Sequence, residues 1–533
     1  MLLARANLKQ RGKRAAGLLL ASLMLLAGCR PPTASDQAPL VIAAYGSIDS
    51  VDPAQATTVI ALQLISALGD PLYAIDGQGA IQPKLARALP KLSDDGLTAT
   101  IPLRQGVLFH DGTPFDADAM AFSLRRFLAI GKLSYVVGDR ISAVRVTGPY
   151  ELQLDLRRPF SPLAKLLSFA SLTPISPTAY ANYEAGFRPN AFVGTGPYEL
   201  RLQSPQLQRL EPFAQYWGEA PRNDGIALVG MSTSTSLYGA ISSGNVDVLL
   251  STSLEPEQQS ALHQQANQGE LREGAGPALG IGYITLLTDR PPLDNQTLRR
   301  ALAFSLDREL LTKRVTDKLR PPLRGLVPPK LPGALAAWPR ADASRARQLL
   351  QQEGYCSGEV LPLQLTYRSN VPTDRLLALS WQEWLRSRLG DCVRLDLTGM
   401  ESTTAYRQLG DGAFQMILLD WMGDYPDADN YLTPLLGCTQ SEGNRCLEGD
   451  SASGGSFWTA PGLEEKLRQS NERRGQARLD LLDAVQREAA NGVPYLPMWQ
   501  TRPRAWARNS ITAPQFDGSG RLNFASLSRR SLP

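Results

Sequence analysis

Histidine is almost missing from this chain: His110 and His263 are the only two in 533 residues. Acid–base catalysis would therefore rest on carboxylates, and direct coordination of a metal such as nickel by imidazole is disfavoured. The common catalytic signatures are absent as well. There is no Gly-x-Ser-x-Gly elbow, no His-Glu-x-x-His, no phosphate-binding Walker loop, and no Gly-x-Gly-x-x-Gly opening a helix after a strand. Past residue 28, no apolar run approaches the length of a membrane-spanning helix. A surplus of one charge is lacking too. Residues 1–28 hold Arg5, Lys9, Arg11, Lys13 and Arg14 and no acid, so without them the formal charge falls from +4 to −1. The body of the chain gives no electrostatic argument for nucleic acid.

Cysteine is scarce, and each one has a place. Cys29 closes the segment Leu26-Ala27-Gly28-Cys29, after a basic stretch and an apolar run over 15–27 that is too short for a permanent anchor. This segment resembles the lipobox of bacterial lipoproteins, in which the cysteine becomes the acylated first residue. The expectation is a signal peptide over 1–28, lipidation at Cys29 and a Pro/Ser/Thr/Ala-rich tether over 29–39. The protein is then a membrane-anchored lipoprotein on the periplasmic or cell-surface side. The other four cysteines are Cys356, Cys392, Cys438 and Cys446, an even number that favours disulfides in an exported chain. Local pairs, Cys356–Cys392 and Cys438–Cys446, are the simplest of the possible connectivities. Their spacing is not that of a zinc knuckle.

A chain of 533 residues exceeds one hydrophobic core, so two or more domains are expected. Strands and helices alternate, which indicates an α/β protein. A buried strand at 40–45 leads to a loop and a helix over 57–67; 97–103 alternates as a strand. Residues 106–115 read as strand, Asp-Gly turn, strand, with His110 as a turn residue. Asp116 is a good N-cap for a helix over 117–130, 141–146 and 151–156 form a hairpin, and 160–169 is helical. Asp294 is expected to cap a helix with Leu298, Leu302, Leu306 and Leu310 on one stripe, and Asp342 a helix over 343–353. An amphipathic helix over 373–389 lies between strands at 363–367 and 393–397, and a late helix covers 478–490.

The most distinctive stretch is 420–432, directly after the apolar strand 414–419. Asp420, Asp424, Asp427 and Asp429 fall in ten residues beside Trp421, Tyr425 and Tyr431. Such a stretch suits a cationic amine, a solvated acidic turn, a calcium loop or a pair of catalytic acids. Counted from Asp424, the sixth and twelfth positions of a calcium loop are Asp429 and Leu435, where glycine and glutamate are required, so that match fails. Nothing supports the separation that an Asp420–Asp424 glycosidase pair would need. A peptide ligand fits better: strand edges satisfy its backbone, a desolvated carboxylate its ammonium, and aromatic-lined space its side chains.

The run from Phe109-His110-Asp111-Gly112-Thr113-Pro114-Phe115-Asp116 to Leu124 resembles the signature of the family 5 extracytoplasmic solute-binding proteins, the peptide- and nickel-binding components of ABC importers. Val193-Gly194-Thr195-Gly196-Pro197-Tyr198, the helix region from Asp294 to Arg308, the 420–426 stretch and Pro494-Tyr495-Leu496-Pro497-Met498-Trp499 resemble further family elements in the family's order. The resemblance covers 40–527 and implies a bilobal periplasmic-binding-protein fold with an extra domain inserted in the first lobe. The implied division is lobe I over 40–82, extra domain II over 83–190, lobe I again over 191–290, lobe III over 291–500 and a return to lobe I over 501–533. It further implies a non-enzymatic, monomeric peptide-binding protein without cofactor, working with an ABC permease and its ATPase subunits. By the same resemblance Asp424 holds the ligand ammonium, the backbone of Asp420 to Met422 pairs with the ligand, and Trp421 flanks a side-chain pocket, with Tyr425 beside them. Arg368, by its position past a strand, is the candidate for the ligand carboxylate, and Tyr45, Tyr283 and Trp499 lie on strands that face the cleft. Position 420 departs from the family pattern, which has a small or neutral residue there; a second acid bears on ligand preference. Nickel chelates, oligosaccharides and a non-transport sensor or chaperone role stay open at this point.

Overall fold

The computed structural model describes residues 38–251 and 253–530; the expected signal peptide and Cys29 lie outside them. Three sheets organise the chain. The largest has seven strands in the order Leu271–Ala275, Arg504–Arg508, Val248–Ser251, Leu40–Tyr45, Ile226–Met231, Leu207–Pro212, Tyr198–Gln203. Leu40–Tyr45 is parallel to both of its neighbours. The second has five strands in the order Val393–Met400, Leu361–Arg368, Met416–Met422, Gly280–Leu286, Tyr495–Thr501. Gly280–Leu286 is buried at every position, as a strand paired on both edges and covered on both faces must be. The third sheet, of four strands over 91–156, falls between the first strand and the returning Tyr198–Gln203, so it is an insertion into the first body. Its apolar residues join the same core as those of the large sheet.

The chain crosses between the two large sheets at 276–279 and again at 502–503. The first crossing comes earlier than the expected boundary at 290/291, because Gly280–Leu286 pairs with Met416–Met422 and Tyr495–Thr501 and with nothing in the seven-stranded sheet. Among the described residues no helix is long and apolar enough to cross a membrane.

Local sequence signals fix many of these elements. Asp116 accepts the Ala119 N–H at the start of Ala117–Ile130, and Asp342 accepts the Arg345 N–H at the start of Ala343–Gln352. Pro372–Leu389 stops at Gly390, whose φ of 60° only glycine adopts without strain. Three expectations need correction. The cap at 294–295 is Asn295, which accepts from the Thr297 and Leu298 N–H groups, and the leucine stripe is split between Gln296–Ser305 and Arg308–Thr316. The second of these helices is started by Asp307, a better cap than continued helix. Residues 106–115 form a turn with one bridge, Leu108 to Pro114, rather than two strands. Residues 160–169 contain only the single turn Leu163–Leu166, since Pro162 precedes it and the following residues fold back against the helix Val59–Leu68.

His110 keeps a structural role. Its Nδ1 accepts the Gly194 N–H at 3.3 Å and its Nε2 lies 3.1 Å from the Gly196 carbonyl, which fixes the Nε2–H tautomer and ties the signature turn to the glycine turn. Burial pushes its pKa down to about 4. The two expected disulfides are present. Cys356–Cys392 joins the approaches to the parallel strands Leu361–Arg368 and Val393–Met400, and Cys438–Cys446 closes the ribbon of Gln440–Glu442 and Arg445–Glu448.

Arg126, on Ala117–Ile130, anchors the inserted domain. Its guanidinium makes a two-pronged pair with Asp52 at 2.9 and 2.6 Å, and both side chains are buried. It also donates to the Tyr183 and Gly186 carbonyls, while Asp52 accepts from the Ala54 and Arg188 N–H groups. Arg126→Met leaves the Asp52 charge buried without its partner. It is expected to lower stability by about 3–5 kcal/mol, read as a fall in the urea midpoint followed by tryptophan fluorescence; Asp52→Asn in the same background recovers part of the loss.

Candidate ligand-binding site

Between the two large sheets lies a cavity of about 350 Å³. Residues from both bodies border it, Val59 and Ser168 from one and the 420–424 segment from the other. Met416–Met422 runs into it and extends three residues beyond the expected strand end at 419. On one edge Asp420, Trp421 and Met422 pair with Gly282, Ile281 and Gly280. On the other edge the register with Leu361–Arg368 is confined to Thr366 and Ile417. The backbone of 420–422 therefore has a strand partner on one side only, which leaves an edge for an extended ligand.

The four acids of this stretch meet four different fates. Asp420 accepts from the Arg368 guanidinium and receives the Tyr406 hydroxyl at 3.5 Å. Asp427 is buried between Arg478 and Lys165, the latter at 3.2 Å. Burial would push its carboxyl up, but the two cations outweigh that and hold it below the ordinary range. Asp429 is buried as well, and accepts from the Tyr425 hydroxyl at 2.7 Å, the Thr433 hydroxyl at 2.6 Å and the Asn471 amide. Arg140 reaches it at 3.5 Å.

Asp424 differs from the other three. Among the described residues it makes no ion pair, and it borders the cavity. Burial pushes its pKa up to about 6, against the opposing hydrogen bond from Asn430 and the field of Arg521. Asn430 also holds the loop in shape: its side-chain oxygen accepts the Asp424 N–H at 2.9 Å, and its carbonyl accepts the Trp421 indole N–H at 2.6 Å. A carboxylate in this state is a ready partner for a cation that arrives with the ligand.

Trp421 and Met422 border the cavity, as do Tyr283 and Trp499. The Trp499 indole lies against Gly282, where a Cβ would collide with its Nε1, and the Arg320 guanidinium sits 5.1 Å over its ring. Tyr283 packs edge-on to Tyr495 at 5.4 Å, and burial raises its pKa well above the usual phenol range. Tyr45 and Tyr425 are not on the cavity wall. Tyr45 is 39% exposed at the end of its strand. Tyr425 turns away from the ligand side and packs into the core of the first body.

Arg368 also borders the cavity, but it is already engaged. It is the last residue of its strand, buried, bonded to Asp374 at 2.8 Å, to Asp420 and to the Tyr406 hydroxyl at 3.1 Å. Burial opposes its charge, yet the two carboxylates raise its pKa further. The departure at position 420 is thus internally balanced: the second acid is met by Arg368. Sequence reasoning missed Asn430, Asp374, Arg320, Arg502 and Arg521 as site residues, and all of these but Asn430 border the cavity. Arg320 and Arg502 each directly precede proline, a signal that the chain turns there, but the sequence does not show into what.

Residues 80–443 match the family model described as Bacterial extracellular solute-binding proteins, family 5 Middle. The glutathione-binding protein GsiB of Salmonella paratyphi A is 27% identical over 409 residues, 74% of this chain and 77% of that protein. The crystal structure of the dipeptide binding protein from Pseudoalteromonas sp. SM9913, in complex with Met-Leu, superposes with a TM-score of 0.77 at 24% identity, over 92% of this chain and 100% of that one. NikA from Brucella suis, in complex with Fe(III)-EDTA, gives a TM-score of 0.80 at 20% identity over 92% and 100%. These likenesses establish the bilobal α/β fold of such binding proteins.

A carboxyl with a raised folded-state pKa holds more protons folded than unfolded between about pH 4 and 6, so stability falls as pH rises through that window and stays lower above it. Asp424→Asn is expected to stabilise the ligand-free protein above that window by about 1–3 kcal/mol, with the difference fading towards about pH 4. Chemical denaturation of both proteins across this pH range measures it.

Proposed function

The chain belongs to the bacterial extracellular solute-binding proteins of family 5, the substrate-binding components of ABC importers and not enzymes, and from that premise we propose that its ligand is a short peptide captured in the cavity between the lobes. The observation that carries this reading is Asp424, a largely desolvated carboxylate that makes no ion pair among the described residues, just past the end of a strand whose 420–422 edge is open. The ligand's ammonium supplies the missing counter-charge, its backbone adds to the open edge, and Trp421, Tyr283 and Trp499 give apolar walls for its side chains. The names of the similar proteins, which bind glutathione and Met-Leu, agree with a small peptide-like ligand. The cavity volume is at the low end of the range for small-molecule sites.

The two lobes then close on the ligand about the crossings at 276–279 and 502–503, and the closed form is what an ABC permease with its ATPase subunits receives. Lipidation at Cys29 after loss of 1–28 would keep the protein at the membrane as a monomer beside that permease. Family members are periplasmic or extracellular, in line with an exported chain.

Native mass spectrometry of protein purified without unfolding is expected to show a co-purified set of short peptides. Acetylating the peptide amino group, or Asp424→Ala, should weaken binding by about 2–5 kcal/mol. Because Asp424 must ionise to hold the ammonium, affinity falls about tenfold per pH unit below about 6, a slope that Asp424→Asn abolishes. Calorimetry that finds equal affinity for free and acetylated peptides would refute the ammonium assignment.

A further inference from the structure

The contacts that residues 425–429 make with the first body share one design. Asp427 is held within its own body by Arg478 of the helix Gly475–Gly492 and by the Asp429 N–H at 3.0 Å. Its other cation, Lys165 at 3.2 Å, comes from the turn Leu163–Leu166 of the first body. Asp429 is likewise served at home by Tyr425, Thr433 and Asn471. Arg140 of the inserted domain approaches it at 3.5 Å and keeps Asp139 as a partner of its own. When the bodies part, each acid therefore retains donors, Arg140 retains Asp139, and Lys165 returns to water. Opening strands no buried charge, in contrast to loss of one partner from the Arg126–Asp52 pair. These contacts can form and break without a large penalty.

Tyr425 pulls the same way. Its ring is 3% exposed in the core of the first body while its hydroxyl stays on Asp429, so parting the bodies returns apolar surface to water.

Asp424, one residue earlier, pulls the other way. Gly520 and Arg521 of the first body share its cavity wall. Burial raises the pKa of Tyr135, on the turn Tyr135–Gly138 of the inserted domain, and the field of Asp424 adds to it. The first body thus supplies part of what surrounds this carboxylate. Closing without ligand strips water from Asp424 and gives it no ion pair among the described residues.

We propose, resting on the lobe closure and the ammonium clamp of the proposed function, that residues 424–429 form a two-sided closure switch: Lys165, Arg140 and Tyr425 draw the bodies together, the bare Asp424 carboxylate holds the ligand-free protein open, and the ligand's cation removes that opposition. The closing side never touches the ligand. Weakening it lowers affinity for every ligand by one common factor, whereas losing Asp424 penalises cationic ligands alone.

Small-angle X-ray scattering of the ligand-free protein at neutral pH tests the switch. Asp424→Asn is expected to be more compact than the unaltered protein. Adding Lys165→Met and Arg140→Met returns it to the expanded form, and Lys165→Arg in place of Lys165→Met keeps it compact, which a merely structural role of Lys165 would not require. Melting curves establish that each variant is folded. By calorimetry, Lys165→Met with Arg140→Met lowers affinity for trialanine and N-acetyl-trialanine by the same factor, about 3- to 30-fold. An Asp424→Asn protein no more compact than the unaltered one, or one that stays compact without Lys165 and Arg140, overturns the switch whatever the peptides do. Equal affinity of the unaltered protein for free and acetylated trialanine overturns the ammonium clamp and the ligand step with it; the scattering decides the two opposing sides by itself.

Discussion

A carboxylate taken largely out of water without an ion pair is a standing cost to a folded chain, and among the described residues the cavity borders one, Asp424. Asp424 is held in that condition by the Asn430 hydrogen bond and the field of Arg521, which only partly offset its burial, while its three acidic neighbours are each satisfied by other means. Asp420 is matched by Arg368, Asp427 by Arg478 and Lys165, and Asp429 by three hydrogen-bond donors. Were any of these left open, its field would raise the Asp424 carboxyl further and blur which acid receives the ligand. The acidic density that makes 420–432 conspicuous in the sequence is therefore not a pooled negative patch. It is three balanced charges and one unbalanced one, and the unbalanced one faces the cavity.

The same loop also joins the two bodies. Tyr425 leaves its own sheet to pack in the core of the first body. Lys165 and Arg140, from the first body and its inserted domain, reach Asp427 and Asp429, and the Ser161 N–H donates to the Asn471 carbonyl at 2.7 Å. The proposed ligand clamp and the inter-body contacts are thus a few residues apart on one turn, braced by Asn430. On the proposed reading, a ligand that settles on Asp424 fixes the position of the turn that carries the contacts between the bodies. This gives a physical route by which differential affinity for the closed form arises without any separate transmitting element.

What the sequence disclosed and what it hid follow a common rule. Signals whose partners lie within a few residues were readable: Asp116 and Asp342 as caps, the hairpin over 141–156, and the local cysteine pairs. The two misjudged helices failed where a second local signal competed, Asp307 as a new cap and Pro162 as a break. The site itself was legible as a stretch but not as a charge map. Arg368 was correctly drawn to the cavity, yet its partner Asp420 lies 52 residues on and its role depends on that pairing. Tyr425 looked like a ligand aromatic because it adjoins Asp424, and only the direction of the turn shows that it faces the other body. Arg320 and Arg502 gave no signal beyond a following proline, since what makes them matter is the antiparallel approach of two segments 180 residues apart in the chain.

That approach also explains why positive charge collects where it does. Residues 502–503 are one of the two crossings between the sheets, so a guanidinium there sits at the axis about which the lobes would turn. Proline at 503 fixes the backbone on one side of Arg502, and the pairing of Gln500 with Pro321 fixes it on the other. The side chain is consequently held while its Nε remains unsatisfied. Asp424 and Arg502 each stand just past the exit of one of two parallel strands flanking Gly280–Leu286, and neither makes an ion pair among the described residues.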